Sequence, residues 1–180
     1  MKLIVGLGNP GKEYELTRHN VGFYIIDNYL SDPVWKDFKK KALICEKKIN
    51  NEKVIFVKPT TYMNNSGEAI KSILSYYKLF IDDMLVIQDD IAIELGKSRI
   101  KYESSDGGHN GIKSIINSIG SSKFLRLKIG LAKEKEIDTI SYVLGKMTKK
   151  EINQIDEDMN HYFEVINTFI NGGIEKVMMM

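Results

Sequence analysis

Short apolar runs typical of buried strands alternate with amphipathic helical segments along the chain, and this alternation constrains the fold more than any other feature. Strands and helices that alternate around one hairpin predict an α/β domain with a mixed sheet. The predicted strands are KLIVG (2–6), ALICEKKI (42–49), KVIFVK (53–58), MLVIQ (84–88), KSRIKY (97–102) and FLRLKIGL (124–131). The predicted helices start at Asn20, cover residues 65–80, 110–119 and 137–144, and resume after Thr148 as one long C-terminal helix.

Turn and capping residues predict where several of these elements end. The Asn-Asn pair at 50–51 predicts a tight turn between the two hairpin strands. NSGE (65–68) and TKKE (148–151) have the spacing of a capping box at a helix start. Gly120 predicts the end of the helix that begins at residue 110.

Length and composition indicate one folded domain and limit its partners. A chain of 180 residues that is 43% hydrophobic can bury a sizeable core. With a formal net charge of only +2, a local cluster of cations would have to bind any polyanion. Cys45 is the single cysteine, which excludes an internal disulfide. No apolar stretch has the length of a signal peptide core or a membrane span, so we expect a cytoplasmic enzyme or binding protein.

GLGNPG (6–11) matches the G-x-G-x-x-G pattern of dinucleotide-binding proteins, and Asp27 lies at about the right distance to bind a ribose. That fingerprint also needs an amphipathic helix that starts within the glycines, but KEYELTRHN (12–20) has no apolar stripe. Pro10 also lacks one of the backbone N–H donors that would meet the phosphates. The context therefore disfavours a nucleotide-dependent oxidoreductase, an alternative that titration with NAD would test.

Polar side chains with no clear local role follow predicted strands or precede predicted helices. In an open α/β sheet the loops at the carboxyl ends of the strands converge, so these side chains are expected to meet. Amides, imidazoles and a carboxylate, without a cysteine set or a carboxylate pair, favour a general-base site for a polar ester or amide. The polar residues are Asn9, His19, Asn20, Asn64, Asp89, Asp90, His109 and Asn110, and Met63 directly precedes Asn64.

Five motifs, in order and at similar spacing, resemble those of the bacterial peptidyl-tRNA hydrolases. The resemblance implies a single domain over residues 1–180, with a twisted mixed β-sheet surrounded by α-helices. It also implies hydrolysis of the ester that joins a peptide to the 3′ end of tRNA, by a monomer, with no metal or organic cofactor. The motifs are GLGNPG (6–11) with TRHNVGF (17–23), KPTTYMNNSG (58–67), QDD (88–90), GGHNG (107–111) and FLRLKIG (124–130).

The resemblance assigns roles to individual residues of this chain. His19 would be the general base that takes a proton from water, a step for which a neutral imidazole is suited. Asp89 would orient His19 and stabilise the imidazolium, as in serine hydrolases but with water as the nucleophile. Asn9, the third catalytic candidate, and Asn64 would position the peptide and the water. The substrate-binding candidates are Tyr14 and Tyr62, Met63 as an apolar floor, Asn64, His109 in a positioning role, and Asn110, which would contact the peptide or support the oxyanion.

The resemblance also places the acceptor stem and 3′ CCA end of peptidyl-tRNA on a cationic surface. Lys101 and Lys128 would clamp the 5′ phosphate. By strand periodicity Arg126 shares a face with Lys128, so we expect it on the same surface, where phosphate contacts give salt-dependent affinity. Two residues depart from the pattern of some relatives: Gln88 replaces a histidine, and Asp106 puts a charge in a commonly uncharged loop.

Each of these residues also has a plain structural interpretation. Asn9 with its following Pro-Gly is typical of a turn, Asn64 of a helix cap, and Arg126 with Lys128 of a solvated sheet edge. A non-catalytic RNA-binding relative, as in plant organellar splicing factors, is the second functional alternative. The presence of both His19 and Asp89 disfavours it, because a protein that only binds RNA has no need of a base and its orienting acid.

Overall fold

Seven strands and six α-helices make up the structure, a computed structural model that describes residues 1–180. All six predicted strands are present, which confirms the α/β fold with a mixed sheet. The strands are β1 (Lys2–Gly6), β2 (Lys36–Phe38), β3 (Ala42–Ile49), β4 (Glu52–Pro59), β5 (Met84–Asp90), β6 (Ser98–Glu103) and β7 (Lys123–Gly130). The helices are α1 (Val21–Tyr29), α2 (Ser66–Tyr77), α3 (Asn110–Ile119), α4 (Thr139–Val143), α5 (Lys149–Glu157) and α6 (Met159–Met178).

The strands form one sheet in the order β2-β3-β4-β1-β5-β7-β6. The four central strands β4, β1, β5 and β7 run parallel to one another. The strands β2 and β3 add antiparallel to the β4 edge, and β6 adds antiparallel to β7. Because β1 has later strands on both sides, the connections diverge there and leave a crevice at the carboxyl ends of the parallel strands.

Helices cover both faces of the sheet, which explains why β1 reads as an uninterrupted apolar run. Successive side chains on a strand point to opposite faces. Leu3 and Val5 lie in a core that includes residues of α2 and α3, whereas Ile4 lies in one that includes residues of α1 and α6. All three side chains are completely buried. The central strands therefore anchor two separate apolar layers.

The glycines of the N-terminal GLGNPG segment allow close packing. A Cβ on Gly6 would lie 2.4 Å from the carbonyl oxygen of Gly22 in α1, and a Cβ on Gly22 would lie 2.6 Å from that of Ile87 in β5. The start of α1 therefore lies directly against β1 and β5. No α-helix starts within the glycines, since a 3₁₀ turn at Lys12–Tyr14 follows and α1 begins only at Val21. The helix N-terminus that a pyrophosphate site requires is absent.

The hairpin turn is as predicted. Ile49 of β3 pairs with Glu52 of β4, so only Asn50 and Asn51 lie between the strands. Their φ angles are 50° and 65°. Positive φ at both central residues is the requirement of a type I′ turn, and asparagine tolerates it better than most residues.

The predicted cap at Asn65 is wrong. Asn65 ends a 3₁₀ turn with φ −118° and ψ 19°, and its side chain makes no capping hydrogen bond. An N-cap needs extended backbone to aim its side chain at the first turn, and this residue does not have it. Ser114 of α3 instead accepts a hydrogen bond from the Gly67 N–H at 2.9 Å. A side chain from another helix therefore accepts a backbone N–H at the start of α2.

The C-terminal prediction is half right. Thr148 and Glu151 form the expected capping box, with the Thr148 N–H donating to Glu151 at 2.8 Å and the Glu151 N–H donating to Thr148 at 3.1 Å. The single long helix is wrong, because α5 ends at Glu157 and α6 begins at Met159. Neither glycine nor proline marks this break. The sequence also gave no sign of β2, which has only three residues with one of them buried.

None of the helices combines the length and apolar character required to cross a membrane.

Candidate active site

The carboxyl ends of the parallel strands bring the predicted polar residues to one edge of the sheet. Asn9 follows β1, Met63 follows β4, and Asp89 is the second-last residue of β5. His19 lies in the 3₁₀ turn that leads into α1, and His109 is the N-cap of α3. Their convergence follows from the topology, because the divergence of connections at β1 leaves this edge open.

His19 is held by Asp89 across 70 positions of sequence. The Nδ1 atom of His19 lies 2.9 Å and 3.0 Å from the two carboxylate oxygens of Asp89. His19 is 8% exposed and Asp89 is 1% exposed. The close approach of α1 to β5 at Gly22 makes this contact possible, since the histidine lies just before that helix. With Nδ1 donating to the carboxylate, Nε2 of His19 carries the free lone pair.

His109 is the second histidine on the same carboxylate, and its hydrogen bonds determine its tautomer. Its Nδ1 accepts the backbone N–H groups of Gly111 at 3.1 Å and Ile112 at 3.3 Å. An accepting Nδ1 requires the ring proton to be on Nε2, which lies 2.8 Å from Asp89 Oδ1 and donates to it. His109 therefore positions Asp89 and has no free nitrogen with which to act as a base.

Asp89 is kept ionised at this buried position. Burial alone would raise its pKa, but the two histidines that face it more than offset this and hold the pKa well below its ordinary value. The carboxylate is thus available as a hydrogen-bond acceptor for both imidazoles throughout the neutral range.

The same three side chains satisfy the spacing of a metal site, since their potential ligand atoms lie within 4.8 Å of one another. The hydrogen bonds oppose that interpretation. A metal at His109 Nε2 needs the lone pair of a deprotonated nitrogen, and the α3 cap at Nδ1 puts the proton there. The donor set fits a hydrogen-bonded triad better than a metal centre.

Asn9 is fixed by three hydrogen bonds. Its Oδ1 accepts the Met63 N–H at 2.7 Å. Its own backbone is clamped by Asn20, whose Oδ1 accepts the Asn9 N–H at 2.9 Å and whose Nδ2 donates to the Asn9 carbonyl at 2.9 Å. The Nδ2 of Asn9 makes no hydrogen bond to the protein. The sequence grouped Asn20 with the site but assigned it no role; its position next to His19 was the available signal.

A cleft of about 580 Å³ extends from the triad toward the cations of β6 and β7. His19, Asp89, His109 and Asn110 line one end of it. Arg99, Lys101 and Lys128 line the other, and Ile140 with Val143 of α4 contributes an apolar side. One cleft is therefore lined both by His19 with its hydrogen-bond partners and by a group of cations.

The other substrate-binding candidates lie outside this cleft. Tyr14 and Tyr62 contact each other edge to face, with ring centroids 6.4 Å apart, and Tyr62 is 53% exposed. Met63 is buried and Asn64 is exposed. Asn9 instead lines a second cavity, of about 600 Å³. The structure thus groups His19 with the cations, whereas the roles of all these candidates remain predictions.

Lys128 and Lys101 differ in their exposure. The Lys128 side chain is 13% exposed, and its Nζ lies 3.9 Å from Asp90 Oδ2. Burial lowers the pKa of Lys128; Asp90 opposes this effect, and the neighbouring cations add to it. Lys101 and Arg99 are exposed. Arg99 pairs with Lys128 across the two strands.

The prediction that Arg126 lies on the exposed cationic surface is wrong. Arg126 is 0% exposed. Its Nη1 donates to the Ser105 carbonyl at 2.7 Å, and its Nη2 donates to the Ser104 carbonyl. Strand periodicity correctly gave it the same face as Lys128, but the segment after β6 covers that part of the face. A phosphate cannot reach this guanidinium in the structure.

Arg18 is a residue that sequence reasoning missed. Its Nε lies 2.9 Å from Glu151 Oε2, its Nη1 donates to the Tyr142 carbonyl at 2.9 Å, and its guanidinium stacks 3.9 Å from the centre of the Tyr142 ring. Burial would raise the pKa of Glu151, but Arg18 and the Thr148 N–H hold it below its ordinary value. The turn that carries His19 is thereby anchored to α4 and α5.

Known proteins match this chain over nearly its whole length. The family model described as peptidyl-tRNA hydrolase matches residues 3–180. The peptidyl-tRNA hydrolase of Clostridium tetani is 47% identical over 99% of this chain and 95% of its own, and that of Lachnospira eligens is 48% identical over 99% and 97%. A crystal structure of peptidyl-tRNA hydrolase from Acinetobacter baumannii superposes with a TM-score of 0.91 at 30% identity, covering 99% of this chain and 92% of that one. The chain belongs to the peptidyl-tRNA hydrolase family.

Proposed function

We propose that this protein hydrolyses the ester bond of peptidyl-tRNA, with His19 as the general base that activates water. The observation that carries the proposal is the tautomer of His19. Asp89 binds its Nδ1 at 2.9 Å, which leaves the Nε2 lone pair free beside the cleft. Membership in the family supports the choice of substrate, because its relatives carry the name of this reaction.

The geometry supports a simple sequence of proton transfers. Nε2 of His19 takes a proton from water while the water oxygen adds to the ester carbonyl. The negative charge on the carbonyl oxygen is stabilised by amide donors, for which Asn110 at the start of α3 is the candidate within the cleft. Collapse breaks the bond to the ribose oxygen, which receives the proton from the imidazolium. The products are a peptide with a free carboxylate and tRNA with a free 3′ hydroxyl.

Asp89 stabilises the imidazolium that forms during this sequence. A carboxylate at 2.9 Å from Nδ1 both fixes the tautomer and pairs with the positive charge. The N–H of His109 holds the same carboxylate in place. In this proposal only His19 exchanges a proton with the substrate.

The tRNA is proposed to lie along the cleft, with its 3′ CCA end at the triad and its acceptor stem toward β6 and β7. Lys101 and Lys128 would bind the 5′ phosphate, and Arg99 is close enough in the strand pairing to join them. Asn9, Asn64, Met63, Tyr14 and Tyr62 are proposed to contact the peptide. We further propose a cytoplasmic location, because the substrate arises at the ribosome, and a monomer, which the resemblance to the family implies.

An N-blocked aminoacyl-tRNA assay tests the proposal. The purified protein should release tRNA and N-blocked amino acid at the same rate with and without EDTA. Loss of activity with EDTA, restored by a divalent cation, would contradict the metal-free mechanism. Binding of tRNA with no hydrolysis would instead favour the non-catalytic RNA-binding alternative.

A further inference from the structure

We propose that Arg126 is a positioning residue that holds segment 104–108 and, through it, the His109 end of the active site. The inference rests on the active site proposed above, and it replaces the phosphate-binding role first expected for this arginine.

The surroundings of Arg126 are unusual for a charged side chain. It is completely buried, and its two hydrogen bonds go to the backbone carbonyls of Ser104 and Ser105. The guanidinium carbon of Arg126 lies 4.8 Å from the centre of the Phe124 ring. Burial lowers the pKa of Arg126, and Asp106 opposes the effect. Burying a guanidinium without a carboxylate partner is costly, and the two hydrogen bonds to backbone carbonyls are the contacts that offset this cost.

Segment 104–108 has no regular structure of its own. Gly107 and Gly108 have φ angles of 60° and 84°, and a Cβ on either would meet no neighbouring atom within 4 Å. The turn is closed by Asp106, whose Oδ1 accepts the Gly108 N–H at 2.8 Å and whose carbonyl accepts the His109 N–H at 3.0 Å. Arg126 supplies the attachment of this turn to the sheet at the residues just before Asp106.

Hydrogen bonds connect this turn to the carboxylate of Asp89. The turn ends at His109, which caps α3 through Nδ1 and donates to Asp89 through Nε2. Asn110, the proposed oxyanion donor, is the next residue. Displacement of segment 104–108 would therefore move both the group that holds Asp89 and the group that faces the developing charge.

The same segment also contacts the cation end of the cleft. Ser104 receives Arg126 at its carbonyl, and its hydroxyl lies 3.4 Å from Lys128 Nζ. One short stretch of chain therefore borders both the phosphate-binding and the ester-binding ends of the cleft.

Arginine suits this position because its planar fork reaches two successive carbonyls at once. Lysine keeps the charge and much of the aliphatic stem but presents a single point donor. Arg126→Lys should therefore hold one carbonyl and release the other. The substitution separates the positioning role from the mere presence of a buried cation.

The test compares Arg126→Lys and Arg126→Met with Lys123→Met, which removes an exposed cation from the same strand. For Arg126→Lys we expect kcat to fall about 10- to 100-fold, as for other small misplacements of catalytic groups. The salt dependence of binding to deacylated tRNA should stay at its wild-type slope. Lys123→Met should leave both quantities unchanged.

Histidine ¹⁵N spectra supply a readout that requires no substrate. In the wild type, His109 should show the Nε2–H tautomer with an accepting Nδ1. In Arg126→Lys this pattern should be averaged or lost, while His161 on α6 stays unchanged as an internal reference. If Arg126→Met does not fold, Arg126→Lys alone decides the question.

Two results would overturn the proposal. A lowered melting temperature with wild-type kcat and wild-type His109 signals would reduce Arg126 to a structural role. A salt slope of tRNA binding that Arg126→Lys reduces as much as Lys101→Met does would show that Arg126 binds phosphate. Failure of the hydrolase mechanism itself would appear differently, as turnover retained in His19→Ala, with the effect of Arg126→Lys on the His109 spectrum still present.

Discussion

The two ends of the cleft are built in opposite ways. At the triad end, His19, Asp89 and His109 are nearly buried, and each is held by protein hydrogen bonds. At the cation end, Arg99 and Lys101 are exposed and make no ion pair within the protein. Chemistry requires groups that are already in place, whereas a phosphate needs cations that can still reach it. The comparison teaches that hydrogen bonds fix the histidine–carboxylate end, whereas the cation end combines the exposed Arg99 and Lys101 with the largely buried Lys128.

Removing the base should have the largest effect. His19→Ala should reduce kcat about 1,000- to 10,000-fold, the upper part of the range of about 10²- to 10⁴-fold that positioned general bases contribute. Binding of deacylated tRNA should change little, since the cation end is intact. Single-turnover hydrolysis and a binding titration measure the two quantities. His109→Ala is the matched comparison and should retain more activity, because its ring has no free nitrogen. Equal losses in the two variants would contradict the assignment of His19 as the only base.

Asp89→Asn should follow, with kcat reduced about 1,000-fold, since the amide removes the negative charge that stabilises the imidazolium and places an N–H donor where a carboxylate oxygen accepts from His19. The neighbouring Asp90→Asn is the control, because Asp90 contacts Lys128 and no histidine. We expect at most a few-fold change there. Comparable losses at the two positions would show that general negative charge, and not the hydrogen bonds of Asp89, is what the site uses.

Asn20→Ala tests whether the clamp on Asn9 matters to the reacting end. Loss of its two hydrogen bonds should lower kcat about 10-fold by letting Asn9 shift, a smaller effect than loss of the base. Asn28→Ala on the exposed side of α1 is the matched control. A wild-type kcat in Asn20→Ala would exclude Asn9 from the ordered part of the site.

At the binding end, Lys101→Met should raise KM several-fold and reduce the salt slope of tRNA binding by about one, with kcat nearly unchanged. Lys128→Met should behave in the same way. An unchanged salt slope in both variants would contradict the assignment of Lys101 and Lys128 to phosphate binding. The proposed difference between the two ends of the cleft would then also be wrong.

The smallest expected effect concerns stability against pH. The folded pKa of Asp89 lies below that of the unfolded chain, so its contribution is present above the ordinary carboxyl pKa of about 3.9. The contribution is lost as the pH falls further, because the unfolded carboxyl binds a proton first. Denaturant unfolding of Asp89→Asn should therefore lose less stability between pH 6 and 3 than the wild type. Glu164→Gln, at an exposed position, should match the wild-type slope.

Much of the fold could be predicted because the relevant signals are local. The period of apolar residues gave six strands, and the Asn-Asn pair gave the hairpin turn through its tolerance of positive φ. The predictions were wrong where a residue from a distant element takes the role that a nearby residue was expected to have. Ser114 of α3 satisfies the start of α2, so the nearby Asn65 has no capping role. The break before α6 has no glycine or proline to mark it.

The sequence by itself determined which residue types meet at the carboxyl ends of β1, β4 and β5, because strand polarity and chain order send them there. Only the tertiary structure decided which nitrogen of His19 is free, because that depends on Asp89, 70 positions away. It also decided that Lys128 borders the cleft while Arg126, two residues earlier on the same face, is buried. Periodicity assigns a side chain to a face of a sheet, but the segment that covers that face comes from elsewhere in the chain.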